Sequence, residues 1–169
     1  MKKIVLCLLL IGQASFSQNT DEKAEAKKKI EQEKAVLVKP YVEEEDASIK
    51  VAELLKTAQA SNKKLLIQVG GNWCIWCLRL NDFIRKTEEL KKIVDTNYIY
   101  YHLNWSPKNK NEKFFTHYEN PGEKNGYPVF MILNKTGKLI RVQETGSLEE
   151  GKGYSLEKVK NFLVSNISN

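Results

Sequence analysis

Leu65-Leu66-Ile67-Gln68-Val69-Gly70-Gly71-Asn72-Trp73-Cys74-Ile75-Trp76-Cys77 decides the fold. Its first five residues are a short apolar run that stops at two glycines, the pattern of a buried central strand. Beyond the cysteines, Leu78, Leu80, Phe83 and Ile84 recur at helical spacing, so the Cys-x-x-Cys pair opens a helix that follows directly on a strand.

Working outward, Ile49, Val51, Ala52, Leu55 and Ala58 predict a helix before the strand, with Asp46 or Ser48 as its N-cap and Asn62-Lys63-Lys64 as its end. Residues 97–103, rich in β-branched and aromatic side chains, predict a second strand. Residues 105–126 are polar and read as a long connection that carries a short helix around Phe114 to Tyr118. Val129 to Leu133 and Leu139 to Val142 flank Asn134-Lys135-Thr136-Gly137, a β-hairpin pattern. Leu156, Val159, Phe162, Leu163 and Ile167 then predict an amphipathic closing helix with Ser155 as its cap. Alternating helices and strands followed by a hairpin imply an α/β domain whose mixed sheet is covered by helices on both faces.

The chain has 169 residues, 41% hydrophobic and 28% charged, enough for one core and incompatible with collagen-like, low-complexity or wholly disordered classes. No run near twenty apolar residues exists, which excludes a multi-spanning membrane protein. Lys2 and Lys3, the apolar run Ile4 to Ile11 and the small residues at Ser15 and Ser17 read as a signal peptide over residues 1–17, cleaved before Gln18. Eight apolar residues span only about 12 Å as a helix, far short of a membrane, so the mature chain has no span. Cleavage leaves 152 of the 169 residues, lowers the formal charge from +6 to +4, and removes Cys7, one of three cysteines. The extracytoplasmic, periplasmic setting this implies permits disulfides. Residues 18–46 are a charged leader or tether with no wide apolar face, and residues 47–169 the domain. From Asp21 to Lys34, ten of fourteen residues are charged with both signs mixed, so the basic balance is a solvated surface and not a nucleic-acid footprint.

At helical spacing Cys74 and Cys77 share one face, within reach of a short-loop disulfide. Cys74 lies at the helix N-terminus, where unpaired N–H groups and the macrodipole favour a thiolate, the nucleophile of thiol–disulfide exchange. Cys77, one turn inside, is placed to act as the resolving thiol. A purely structural disulfide over so short a loop constrains little chain entropy. A zinc site would have to recruit His102 and His117, which do not have the usual ligand spacing, and Leu78 excludes a c-type haem site because histidine must follow the second cysteine. No metal site is expected.

Trp73-Cys74-Ile75-Trp76-Cys77 after a strand, with Gly126-Tyr127-Pro128 ahead of a later strand, resembles the thioredoxin superfamily over about Ser48 to Ile167. The likeness is strongest to secreted bacterial thioredoxin-like proteins related to the C-terminal domain of the DsbD reductase. That resemblance implies a thioredoxin fold, Trp73 packed beside the active site, and a cis Pro128 that faces the disulfide and leaves the Tyr127 backbone free to pair with an extended substrate. Trp73 and Trp76 would shape the site, and Tyr127 and Pro128 would receive substrate. Two features depart from the pattern. Gln68 stands where thioredoxins place a buried acid, and Ile75-Trp76 between the cysteines supply no positive charge to stabilise the thiolate.

These readings converge on an extracytoplasmic protein-disulfide oxidoreductase working as a reductase, with no cofactor beyond a redox-active Cys74–Cys77 disulfide. Its partners would be protein disulfides or thiols and an electron-donor protein. The competing expectation is a non-catalytic binding module that uses the same fold to hold an unfolded chain or partner. Within residues 105–125, Trp105, Phe114, Phe115 and Tyr118 either set specificity or pin the connection to the core.

Overall fold

The computed structural model describes residues 14–167. Two compact units divide at Val36/Leu37. The described part of the first is helix α1 (Ala14–Val36), with i,i+4 and i,i+3 ion pairs between Lys29 and Glu25 and between Lys34 and Glu31. Of the expected signal segment, residues 1–13 lie outside the described residues.

The second unit runs α2 (Ala47–Ser61), β1 (Lys64–Gly70), α3 (Ile75–Lys86), α4 (Glu88–Asn97), β2 (Tyr98–Asn104), α5 (Glu112–His117), α6 (Pro121–Asn125), β3 (Val129–Leu133), β4 (Leu139–Glu144), the short ribbon β5 (Glu149–Glu150) and β6 (Gly153–Tyr154), and α7 (Leu156–Ser165). The cap of α2 is Asp46, whose carboxylate accepts the Ser48 and Ile49 N–H groups at 2.8 and 3.0 Å. The helix closes at Asn62 in the left-handed region. Ser155 holds the N-cap position of α7 without a side-chain cap bond.

The sheet order is β2-β1-β3-β4. Strand β1 runs parallel to β2 and antiparallel to β3, and β3 is antiparallel to β4. Because side chains alternate across a strand, each central strand feeds two cores. Leu66, Phe130 and Ile132 face α3, α4 and α7 and meet Leu80, Ile84, Leu90, Val94, Val159, Phe162 and Leu163. Leu65, Ile67, Val69, Met131 and Leu133 face the other way, onto Ala47 and Val51 of α2 and Phe114 and Phe115 of α5. The predicted mixed sheet with helices on both faces is this arrangement, a thioredoxin-like fold.

Three features differ from the sequence reading. Helix α4 was not anticipated: only Thr87 separates it from α3, with no glycine or proline to mark the break, and its apolar contribution is Leu90, Ile93 and Val94. In α2 the buried positions are Ala47, Val51 and Ala58, whereas Ile49 turns outward. Residues 37–46, assigned by composition to the leader, belong to the compact unit. Tyr41 among them is only 3% exposed, and the Asn109 amide donates to the Glu43 and Glu45 carbonyls at 2.9 and 3.0 Å. The segment is held by one aromatic and by side chain-to-backbone bonds, neither of which gives an apolar periodicity.

A chain starting at Ala47 should therefore be less stable to denaturant than one starting at Leu37, by at least the roughly 3–5 kcal/mol typical of deleting a buried aromatic. Equal unfolding free energies would show that residues 37–46 do not support the domain.

Candidate active site

Strand β1 ends at Gly70, and after three intervening residues the chain enters α3 through Cys74. Cys74 is the N-cap residue, with extended backbone, and its Sγ accepts the Cys77 N–H at 3.1 Å. Sulfur thus takes a bond that a Ser or Asp side chain makes at other helix starts. A disulfide joins Cys74 to Cys77, their Cα atoms 5.2 Å apart. The two cysteines differ in access: Cys74 is 7% exposed and Cys77 is fully buried. An incoming thiol or disulfide can reach only the first.

The Tyr127–Pro128 peptide bond is cis. The Tyr127 carbonyl oxygen lies 3.9 Å from Cys74 Sγ, and the Pro128 carbonyl accepts from the Thr145 hydroxyl at 2.7 Å, which ties the turn to the end of β4. Beside it stands an aromatic corner. The Trp73 indole N–H donates to the Trp105 carbonyl at 2.8 Å, the Trp73 ring meets Tyr127 edge-on at 5.7 Å, and Trp105 stacks on Tyr127 at 5.2 Å. Trp73 remains 44% exposed, so the corner presents apolar surface at the reactive sulfur. Two glycines make room for it, since a Cβ on Gly71 would strike the Trp73 indole and one on Gly122 the Tyr127 ring. Trp76 packs against the cysteine cluster from another side: its ring meets Tyr154 edge-on at 5.8 Å, with the Arg79 guanidinium 4.9 Å from its centroid.

Beneath Cys77 lies a buried polar floor. Gln68, completely buried, donates through Nε2 to the Tyr41 hydroxyl at 2.6 Å and to the Cys77 carbonyl at 2.9 Å, and its Oε1 accepts from the Tyr100 hydroxyl. Tyr41 meets His102 edge-on at 5.4 Å. Burial pushes the Tyr41 and Tyr100 hydroxyls far above the usual phenol range, so both stay protonated. Burial, reinforced by Arg85, lowers His102 to about 3 and keeps its ring neutral. The floor therefore carries no charge at neutral pH.

Of the residues singled out from sequence, Cys74, Cys77, Trp73, Tyr127 and Pro128 come together, and Trp76 packs against the cluster of the two cysteines while its ring also meets Tyr154. The aromatics of the long connection divide. Trp105 joins the rim, Phe114 and Phe115 are core residues at 4% exposure each, and the Tyr118 hydroxyl donates to the Gly137 carbonyl at 2.9 Å. His102 lies near the end of β2, part-buried, with its ring against Tyr41 and Tyr100, and His117 packs on Tyr118. Among the described residues no three His, Cys, Asp or Glu side chains converge on a metal-sized site. Tyr41 and Tyr100 escaped sequence reasoning. Tyr100 carried a signal in its parity, because β2 is paired with β1 and Tyr100 falls on the same sheet face as Gln68.

The family model described as thioredoxin-like matches residues 46–135. The disulfide bond reductase DsbH of Chlamydia pneumoniae is 24% identical over 121 residues, 66% of this chain and 69% of that protein. Among solved structures, a disulphide isomerase from Xylella fastidiosa superposes with a TM-score of 0.66 at 22% identity, over 77% of this chain and 98% of the other. The oxidised C-terminal domain of DsbD from Neisseria meningitidis gives 0.53 at 14% identity, over 74% of this chain and 99% of that one.

Two outcomes test the floor. A Cβ on Gly70 would sit 2.5 Å from Cys77 Sγ and 3.0 Å from the Tyr41 hydroxyl, so Gly70→Ala should destabilise the oxidised protein by about 1–3 kcal/mol. A thermal melt unchanged from wild type would contradict that close approach. Because His102 is held below its unfolded value, the unfolded chain takes up its proton first, and stability should fall as pH drops from about 6.5 toward about 3. His102→Asn should flatten that part of the stability profile; an identical profile would mean His102 titrates normally in the fold.

Proposed function

The chain belongs to the thioredoxin-like family, and on that premise we propose that it is a thiol–disulfide oxidoreductase that reduces protein disulfides outside the cytoplasm. The observation that carries this reading is the pairing of a marginally exposed sulfur at a helix N-terminus with a fully buried partner one turn behind it. In the reduced protein the helix N-terminus and the Cys77 N–H favour a Cys74 thiolate. That thiolate attacks one sulfur of a substrate disulfide. The substrate S–S bond breaks, a Cys74–substrate disulfide forms, and the expelled thiolate takes a proton. Cys77, deprotonated, then attacks Cys74 Sγ, which restores the Cys74–Cys77 disulfide and releases the second substrate thiolate to be protonated. The substrate has gained two electrons and two protons. A dithiol protein outside this chain must return those electrons for another cycle.

Substrate is received as an extended segment along the Tyr127–Pro128 turn, with Trp73, Trp105 and Tyr127 covering its apolar side chains. The carbonyl of Tyr127 beside Cys74 Sγ supports this placement. The reductive direction is supported by Ile75 and Trp76, which bring no cation to the thiolate and so do not favour a strongly oxidising pair. Location outside the cytoplasm is supported by the lysine-led apolar run at residues 2–11. Among the described residues no helix is long and apolar enough to cross a membrane.

Insulin reduction by the purified chain should be lost in Cys74→Ser, and Cys77→Ser should accumulate mixed disulfides with substrate. Wild-type turnover no faster than Cys74→Ser would sink the enzymatic reading. Partner capture that survives replacement of both cysteines would point instead to a binding module.

A further inference from the structure

A resolving cysteine without solvent contact poses a difficulty, because it must ionise where a bare charge is costly. Cys77 is fully buried, and the side chain beneath it, Gln68, is an amide that cannot take its proton. We propose that Tyr41 supplies the missing partner: in the reduced protein its hydroxyl donates a hydrogen bond to the Cys77 sulfur and stabilises the resolving thiolate. The inference deepens the oxidoreductase reading above and rests on it for its functional meaning.

The direction of the Tyr41 proton follows from the amide. Gln68 Nε2 donates to the Cys77 carbonyl at 2.9 Å and to the Tyr41 oxygen at 2.6 Å, while Oε1 accepts from Tyr100. Turning the amide over would set Oε1 against the Cys77 carbonyl, two acceptors facing each other, so the amide has one orientation. Since Tyr41 already accepts from Gln68, its own proton must point away from Gln68. The Tyr41 oxygen also borders Gly70, whose missing side chain leaves an opening. The point where its Cβ would stand is 3.0 Å from the Tyr41 oxygen and 2.5 Å from Cys77 Sγ. Tyr41, Cys74 and Cys77 form one buried cluster, so the hydroxyl and the Cys77 sulfur border the same opening.

Tyr41 is suited to a fixed donor role because burial keeps its hydroxyl protonated throughout the range in which a thiol titrates. The other titratable and charged groups around the cluster are Tyr100 and His102 on β2, Tyr154 on β6, and Arg79 and Arg85 on α3. Tyr100 is spent on Gln68, Tyr154 donates to the Trp76 carbonyl at 3.2 Å, and His102 is neutral. Glu149 faces Tyr154, and Asp95 borders the cavity that Tyr100 and His102 line.

The test uses the full chain with Cys7→Ser and Cys74→Ser, which leaves Cys77 as its single thiol, and follows thiolate absorbance against pH. Adding Tyr41→Phe keeps the ring and removes only the hydroxyl. The Cys77 midpoint should rise by about one unit, a tenfold fall in thiolate at a given pH, as expected for losing a hydrogen bond to a charged group. A midpoint unchanged in a variant that melts cooperatively overturns the proposal. A second arm does not depend on that variant folding. In the Tyr41-containing chain, the Tyr41 hydroxyl proton seen by NMR should shift with the Cys77 titration, and a resonance that does not move overturns the proposal equally. Neither arm reads insulin reduction, so the Tyr41 bond and the reductase activity can fail separately.

Discussion

One buried amide ties the site together. Gln68 sits on the central strand β1 and satisfies groups from three other places: Tyr41 from residues 37–46, Tyr100 from β2, and the Cys77 carbonyl from the first turn of α3. A fully buried amide left without such bonds would cost about 1–3 kcal/mol for each unmet group. With them met, the amide fixes how deep α3 sits over the sheet and therefore where the two sulfurs lie. The aromatic rim and the cis turn at Pro128 are arranged around that position.

The two cysteines consequently meet different physics. Cys74 is served by backbone: an N-cap position, a bond from the Cys77 N–H, and the positive end of α3. Cys77 is fully buried against neutral side chains, where individual hydrogen bonds weigh more. In the proposed cycle, access suits the outer cysteine to the nucleophile's role and burial the inner one to the resolver's. Trp73, Trp105 and Tyr127 add an apolar rim, which in the proposed function receives extended chains.

The sequence made the central part of this legible because its signals are local. A strand ending in two glycines, a Cys-x-x-Cys at a helix start and a proline before a later strand are each read within a few residues. Gln68 was legible as a departure, but what replaces the acid was not. Tyr41 lies 27 residues upstream in a stretch of mixed charge, and nothing near it has a period. Helix α4 was hidden because its apolar residues follow those of α3 after a single residue, Thr87. Trp105 and Phe114 look alike in sequence. Only the packing separates the first, stacked on Tyr127 at the rim, from the second, sealed beneath α2.

The central claim is that Cys74 and Cys77 form a redox pair poised to give electrons to protein disulfides. The reduction potential of that pair, measured by equilibration against a glutathione buffer of known poise, tests it most directly. The account predicts one two-electron transition at about −200 mV or lower, in the range of reducing to intermediate dithiol proteins. A value near about −120 mV, that of a strong oxidant, or a disulfide that shows no reversible transition, would contradict it.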